Sequence, residues 1–343
     1  MADNATHKQY SSEDSQSFDL SPESDHESRP GERNVRSERD GRSERSDRNA
    51  LGRKIAPWAL TGMAVLWGST FFSIKRVVDH IPVADFLAVR FLISGILLTI
   101  IFRKSLKMSR KTFIQGLFLG VLWAVAQLLQ TQGLSMTSAS ISGFVTGLYV
   151  VFTPVIAWIM YRSKLGAWTW VAVGLATVGL AALTIHPTQG DPLVGQGEIL
   201  TVGCAIMYAV HIVIMGRWST PEEAGALSIG QSLSMTVVFF IAAAPGGITL
   251  PTGIVDWAWM MYLAVLCGAL TLLIQTWAQG LMDATKAAVI MCSEPLWATF
   301  FAILFGGERP GWMFALGAVA ILGAMYLVIR PPVRHGQAAT PVA

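Results

Sequence analysis

The sequence predicts an all-α integral membrane protein with ten transmembrane helices arranged as a 5+5 inverted repeat. Of its 343 residues, 52% are hydrophobic and only 14% are charged, whereas about a quarter of the residues in soluble domains are charged. From Ala56 onward the chain contains ten apolar segments of about 20 residues, the length that a helix needs to cross a hydrocarbon core of about 30 Å. A shift of 145 residues aligns the second half of the chain with the first. These observations exclude a soluble two-domain enzyme.

Residues 1–54 differ in composition from the rest of the chain. They hold 12 acidic and 10 basic side chains, which is 22 of the 47 charges in the protein. Such a stretch buries too little apolar surface to offset the entropy lost on ordering, so we expect a disordered, charged cytoplasmic tail. The first long apolar run begins only near Ile55, so we do not expect a cleavable signal peptide.

The ten apolar segments are predicted to be helices. Backbone polar groups in lipid must be satisfied within the segment, and runs of 20 residues are about twice as long as the strand of a membrane barrel. The segments lie near 56–74, 83–102, 113–132, 138–159, 166–185, 197–216, 226–244, 257–276, 286–305 and 311–330. We expect one five-helix repeat over residues 55–187, a second over 197–331, and a short cytoplasmic tail over 332–343.

The internal repeat aligns residues 128–166 with residues 273–311 without a gap. Six of the 39 aligned positions are identical, including Gln130 with Gln275. Each half contains five predicted spans, and an odd number of spans makes the second half enter the membrane from the opposite side. This inverted arrangement is typical of many secondary transporters.

Basic residues are distributed unevenly between the predicted loops. If the amino terminus is cytoplasmic, nine of them lie in inside loops, namely Arg103, Lys104, Lys107, Arg110, Lys111, Arg162, Lys164, Arg217 and Lys286. The outside loops hold only Lys75, Arg76 and Arg309. The positive-inside bias therefore predicts a multi-pass protein of the cell membrane with both termini in the cytoplasm.

Several short motifs occur in a consistent order along the chain. They are LWGSTFFSIK at 66–75, Arg90 in the second span, SASISGFVTGLYVVFTP at 138–154 and SEPLWATFFAILFGGER at 293–309, followed by a glycine-punctuated last span. In this order they resemble the EamA family of the drug/metabolite transporter superfamily. The resemblance implies a 5+5 inverted bundle around a central cavity that moves small metabolites, amino acids or drugs across the cell membrane.

Glu294 is the main candidate for substrate binding or coupling. An ionisable group at the middle of a membrane helix costs about 2.5 to 3.5 kcal/mol on insertion scales, so it usually faces a cavity or a partner. Pro295 follows it and should free a backbone carbonyl beside the carboxyl group. Glu294 is expected either to bind a substrate ammonium or a coupling proton, or to be a buried packing carboxylate. Pro154 should kink the fourth span, and both prolines are candidate hinges for alternating access.

Three basic side chains are weaker candidates. Arg90 in the second span is expected to bind a substrate carboxylate, to pair with Glu294, or to hold helices together. Lys75 ends the first span, as in the resembled family, and is either a substrate contact or an interfacial anchor. His211 in the sixth span is either a proton relay or a packing residue.

Neutral polar and aromatic residues form a further candidate lining. Gln127 and Gln130 are three residues apart and share a helix face, and Gln275 is the repeat mate of Gln130. They are interpreted as a hydrogen-bonding lining or as interhelical contacts. Tyr149 aligns with Glu294 across the repeat, and Trp67 is a candidate aromatic wall for a cation.

The absence of other motifs narrows the predicted function. No phosphate-binding G-x-x-x-x-G-K-[ST] loop, H-E-x-x-H or G-x-S-x-G motif occurs in the sequence. The three cysteines lie in apolar runs without metal-ligand spacing, so no metal, cofactor or enzymatic activity is expected. The expected partners are a small-molecule substrate and the lipid bilayer, with protons as the candidate coupling ion and no nucleic acid. A lipid-carrier flippase and a non-transporting membrane sensor or scaffold are the alternatives.

Overall fold

Helices make up all the regular secondary structure in the described part of the computed structural model. The structure describes residues 30–78, 80–136, 139–163, 165–184, 195–306 and 312–329, and these ranges contain no strand. By length and composition, five described helical stretches are able to cross a membrane: Val83–Ile101, Arg110–Met136, Gln196–Trp218, Ala224–Gly246 and Ile254–Gln279. Val145–Tyr161, Ala167–Ala182 and Ala315–Leu327 are shorter apolar helices. The prediction of an all-helical membrane protein is confirmed for these ranges.

The described helices are numbered α1 to α13 in chain order. The first seven are α1 (Pro30–Val78), α2 (Val83–Ile101), α3 (Arg110–Met136), α4 (Ala139–Gly147), α5 (Tyr149–Tyr161), α6 (Ala167–Thr184) and α7 (Gln196–Trp218). The others are α8 (Ala224–Ala243), α9 (Ile254–Ala264), α10 (Thr271–Gln279), α11 (Ala284–Met291), α12 (Glu294–Gly306) and α13 (Trp312–Ile329). A π-helix, Val265–Leu270, joins α9 to α10.

Part of the charged stretch over residues 1–54 lies in α1. The chain divides into two units, Met1–Asp47 and Arg48–Ala343, and α1 already begins at Pro30. The sequence of this stretch places a glutamate four residues before an arginine three times, at 32, 38 and 44, and this spacing supports a helix. Residues 1–29 lie outside the described residues. The site described below belongs entirely to the second unit.

Three of the predicted helices are interrupted, one by the π-helix Val265–Leu270 and two by tight turns. The segment expected near 138–159 is divided at Leu148 into α4 and α5, and the segment expected near 286–305 is divided at Cys292 and Ser293 into α11 and α12. The N–H of Leu148 donates to Val145 O at 3.2 Å, and the N–H of Ser293 donates to Ile290 O at 3.2 Å. Each of these hydrogen bonds closes a tight turn over three residues. Val145 and Leu148 lie 145 residues before Ile290 and Ser293, respectively. The repeat is therefore visible in the backbone.

The two candidate hinge prolines each follow one of the two tight turns at Leu148 and Ser293. Pro295 is the second residue of α12 rather than a kink within a continuous helix, because the first turn of a helix is where the missing N–H costs least. Pro154 lies inside α5 and is buried, six residues after the interruption at Leu148. A hinge function for either proline stays a prediction.

Small residues bring neighbouring helices close together. Gly116 of α3 approaches Gly230 of α8 so closely that a Cβ at Gly116 would lie 3.0 Å from the Gly230 Cα. One turn later along α3, Gly120 faces Ser234 of α8. Gly179 of α6 packs against α13 in the same way. Such contacts favour helix association in lipid, where there is little hydrophobic driving force between helices.

Candidate functional site

A central cavity of about 40 Å³ lies between helices of both halves. Seven of the nine predicted site residues line it: Trp67, Arg90, Gln127, Gln130, Tyr149, Gln275 and Glu294. The other lining residues are Thr70, Ile74, Phe91, Trp123, Thr131, Leu134, Thr146, Tyr208, Ile212, Cys267, Gly268, Thr271, Leu272 and Met291. The cavity is thus mostly apolar, with a limited number of polar groups, as is usual for small-molecule sites.

Some lining residues occur in pairs related by the 145-residue repeat. Within the aligned stretches, residues 128–166 and 273–311, these pairs are Gln130 with Gln275, Thr146 with Met291, and Tyr149 with Glu294. Aligned positions of the two halves therefore line the same cavity. The residue types differ in two of the three pairs, so the two walls differ in chemistry.

A hydrogen-bonded cluster forms the wall supplied by α3 and α7. The Tyr208 hydroxyl lies 2.9 Å from Gln127 Oε1 and 3.1 Å from Gln130 Oε1, so its single proton is shared between two acceptors. Gln127 Nε2 donates to Gln130 Oε1 at 3.3 Å, and Gln130 Nε2 lies 3.4 Å from Thr146 Oγ1. Gln127 and Gln130 therefore fit both interpretations, since each lines the cavity and each makes a hydrogen bond between helices.

Trp123 is the centre of an aromatic cluster at the cavity. Its ring makes edge contacts with Trp67, Tyr208 and His211 at centroid distances of 5.9, 6.3 and 5.0 Å. Edge-to-face packing of this kind contributes about 0.5 to 1.5 kcal/mol per pair beyond the buried area. The cluster fixes the position of Tyr208 and hence of the two glutamine side chains.

Glu294 is the first residue of α12 and its side chain is only 7% exposed. Within the described residues its carboxyl group makes no hydrogen bond or ion pair. Tyr149 and Tyr208 line the same cavity. A buried carboxyl group without a protein partner is costly, so this position suits a cationic ligand or a proton.

Arg90 contacts backbone carbonyl groups rather than an acid. Its Nε donates to Leu263 O at 3.1 Å and its Nη2 donates to Cys267 O at 2.9 Å. Arg90 does not form the ion pair with Glu294 that was one expected alternative. In the described part of the chain, the ion pair found is between Lys286 and Asp283. Arg90 Nη1 is buried and has no partner among the described residues.

Two further polar atoms that line the cavity lack partners. The Tyr149 hydroxyl and Gln275 Oε1 are both buried, and neither has a hydrogen-bond partner among the residues that the structure describes. Buried polar atoms are normally satisfied by protein or water. These atoms give the cavity hydrogen-bonding groups that water or a polar ligand is able to satisfy.

Two predicted site residues are not placed in the cavity. His211 is buried between helices, with Nε2 2.9 Å from Gln231 Oε1 and its ring against Trp123, and it is not among the lining residues. The side chain of Lys75 lies outside the described residues. The three cysteines, Cys204, Cys267 and Cys292, are buried and unpaired.

Tyr208 is the main lining residue that the sequence did not indicate. It lies in the sixth span, three residues before His211. The sequence offered one indication of Tyr208 as a cavity residue. It lies one helical turn from the candidate His211, and residues three apart share a helix face. Which of the two faces the cavity depends on helix packing, not on spacing.

Comparisons with known proteins agree with this architecture. The EamA-like transporter family matches residues 54–185 and again residues 195–330. The chain is 28% identical over 280 residues to an uncharacterized transporter of Archaeoglobus fulgidus, covering 80% of this chain and 86% of the relative. It is 22% identical over 292 residues to the uncharacterized transporter YetK of Bacillus subtilis, covering 80% and 84%.

A solved crystal structure has a similar fold. It aligns with a TM-score of 0.64 and 16% identity over 78% of this chain and 94% of that one, a likeness that concerns the fold alone. The family match covers two copies and most of the chain, which confirms the resemblance read from the motifs. The chain belongs to the EamA-like transporter family and is a multi-pass membrane transporter.

Proposed function

We propose that the protein exports small metabolites, amino acids or drugs from the cell by alternating access, as a secondary active or facilitative transporter. The observation that carries the proposal is the central cavity. Repeat-related residues of both halves line it, and Glu294 in its wall has no partner among the described residues. A site between two related halves is accessible from either side of the membrane when the halves rock against each other.

The proposed architecture is ten spans in two inverted repeats of five. The described helices follow the ten apolar segments of the sequence in order, with three segments each divided into a helix pair. The equivalent turns at Leu148 and Ser293 support the same repeat. Five spans in each half would make the second half an upside-down copy of the first.

Both termini are proposed to lie in the cytoplasm. The loops that contain most of the basic residues meet at one end of the bundle, where Gly225 packs against Phe102 and Gly280 packs against Thr220. At the same end, Thr112 Oγ1 donates to Glu223 at 2.8 Å. An excess of Lys and Arg at one end supports a cytoplasmic assignment for that end and a location in the cell membrane.

The transport cycle requires the cavity to enlarge. A volume of about 40 Å³ has room for about three water molecules, which is too little for a metabolite. The helix interruptions at Leu148 and Ser293 border the cavity and provide points at which α5 and α12 move relative to α4 and α11. Pro154 and Pro295 lie beyond these points as the candidate hinges.

Glu294 is proposed to bind a cationic substrate group or the coupling proton. It lies at the start of α12 and lines the same cavity as its repeat mate, Tyr149. A group that exchanges a proton for a substrate couples transport to a proton gradient, whereas a packing carboxylate does not. The dependence of transport on pH therefore tests its function.

The test is a mass-spectrometric comparison of metabolites released by cells with and without the gene, repeated across an imposed pH gradient. We expect one class of small molecule to be released faster by cells with the protein, and Glu294→Gln to abolish the release or its pH dependence. Glu222→Gln is the matched control, because Glu222 is exposed in the loop before α8. If no soluble metabolite differs, or only lipids differ, metabolite export is wrong. If Glu294→Gln transports with unchanged pH dependence, the coupling assignment is wrong.

A further inference from the structure

The helix that contains Gln275 changes its winding at the cavity. The π-helix Val265–Leu270 separates α9 from α10. A π-turn accommodates one more residue than an α-turn and interrupts the regular hydrogen bonds of the helix. Three carbonyl groups in and before this segment, those of Leu263, Ala264 and Cys267, accept hydrogen bonds from side chains of α2.

The donors on α2 are Arg90 and Ser94. Arg90 binds the carbonyls of Leu263 and Cys267 with two of its nitrogens, and Ser94 Oγ lies 2.7 Å from Ala264 O. Gly268 permits this approach, because a Cβ there would lie 2.5 Å from Ser94 Oγ. The Arg90 guanidinium is buried and has no acidic partner in the described residues. The described hydrogen bonds of its guanidinium therefore go to Leu263, at the end of α9, and to Cys267, in the π-helix.

The π-helix determines which face of α10 reaches the cavity. One extra residue rotates everything after it by about 100° relative to a continuous α-helix. Thr271 and Gln275 line the cavity in the structure. If the segment rewound as an α-helix, Leu270 and Ile274 would take their positions, and the polar wall of the second half would become apolar.

We infer that Arg90 is a positioning residue, which holds the π-helix through backbone carbonyls and thereby keeps Gln275 in the cavity. It acts on the ligand through Gln275. The consequence for transport, a preference for polar over apolar substrates, rests on the proposed function. The rotational register of α10 does not depend on the proposed function and is measured separately.

The register is tested by cysteine labelling of the purified full-length protein. The native cysteines are replaced as Cys204→Ala, Cys267→Ser and Cys292→Ala, and a single cysteine is introduced as Gln275→Cys or Ile274→Cys. A small, water-soluble methanethiosulfonate reagent reports which position faces the cavity. We expect Gln275→Cys to react at least about tenfold faster than Ile274→Cys, and Arg90→Met to reverse this order. Arg90→Lys, which retains a donor, should preserve it.

A one-residue deletion provides the matched rescue. Deleting Leu270, which is 39% exposed, removes the extra residue, so the segment becomes an α-helix while Gln275 keeps its position. The order of labelling should therefore be restored in the Arg90→Met protein that also lacks Leu270. An unchanged order in Arg90→Met, or a failure of the deletion to restore it, would overturn the inference.

The inference is still tested if the Arg90→Met protein fails to fold. Folding of the double variant that lacks Leu270 would then support the inference, because the deletion removes the carbonyls' need for Arg90. If the double variant fails as well, the deletion alone is decisive: preferential labelling at Ile274→Cys in that protein contradicts the assigned register, and preferential labelling at Gln275→Cys supports it. Labelling requires the cavity to open to the reagent but does not require export of a substrate, so these results are distinguishable from the outcome of the export experiment.

Discussion

Glu294 and Tyr149 occupy equivalent positions 145 residues apart, and each is the first residue of the helix that follows a tight turn, α12 and α5 respectively. Both side chains are nearly buried and line the central cavity. One position provides a carboxyl group and the other a phenol. The two halves thus share a backbone plan at this point, and the acidic chemistry belongs to the second half alone.

Removing the Tyr149 hydroxyl should separate binding from stability. This atom has no hydrogen-bond partner among the described residues, so Tyr149→Phe should not lower the free energy of unfolding. If the hydroxyl binds the transported molecule, the loss of one hydrogen bond of about 1.4 kcal/mol reduces apparent affinity about tenfold. Concentration-dependent transport and thermal unfolding of the purified variant measure the two effects.

Tyr262→Phe is the control for this prediction. The Tyr262 hydroxyl lies 2.6 Å from Ser69 Oγ and is outside the cavity lining. Its removal should cost about 1 kcal/mol of stability and leave the affinity for substrate unchanged. A stability loss in Tyr149→Phe as large as that in Tyr262→Phe would show that the Tyr149 hydroxyl has a structural partner.

Tyr208 and Gln130 should be energetically coupled. The Tyr208 hydroxyl shares its proton between Gln127 and Gln130, so Tyr208→Phe removes a contact that joins α7 to α3. A double-mutant cycle with Gln130→Leu is expected to give a coupling energy of about 0.6 kcal/mol, the average for hydrogen bonds between membrane helices. Denaturant unfolding in detergent measures it. Additive effects of the two substitutions would contradict the hydrogen-bonded cluster.

Gly68 should tolerate no side chain, whereas Gly62 on the same helix should. A Cβ at Gly68 would lie 2.5 Å from Trp297 Cβ, 2.7 Å from Ala298 N and 2.9 Å from Glu294 O, while nothing lies within 4 Å of one at Gly62. Gly68→Ala must therefore displace α1 from α12 beside the cavity, at a cost of about 1 to 3 kcal/mol. Thermal unfolding and transport should both be impaired.

Gly62→Ala is the matched control on α1. It should be neutral or stabilise the protein by up to about 1 kcal/mol, because alanine is the better helix former. Equal effects of the two substitutions would mean that α1 does not approach α12 as closely as the structure has it.

The sequence predicted the helices well and the site residues only in part. Apolar length alone located the helices, since lipid admits few other structures for such segments, and the repeat identified Gln130 with Gln275 and Tyr149 with Glu294 as related positions. Rotation about each helix axis was less accessible to prediction. It depends on packing, which brings Tyr208 rather than His211 to the cavity and turns Arg90 toward backbone carbonyls.

The interruptions were also hidden from the sequence. Pro295 was expected to free a backbone carbonyl within the ninth span, and it is the second residue of α12, which begins after an interruption. The π-helix at Val265–Leu270 has no proline to mark it. Its carbonyls are satisfied by Arg90 and Ser94, which are more than 160 residues away in the chain. Local propensity does not report such long-range partners.

Deletion of the charged tail should leave transport intact. Every residue that lines the cavity belongs to the unit that begins at Arg48, and Gly52 already packs against Leu281 within that unit. Removing residues 2–47 therefore retains all the described groups proposed to bind substrate. Efflux by the truncated protein, normalised to its amount in the membrane, should equal that of the full chain, while Glu294→Gln impairs it. A scaffold that signals through its tail gives the reverse result, with the phenotype lost on truncation and retained in Glu294→Gln.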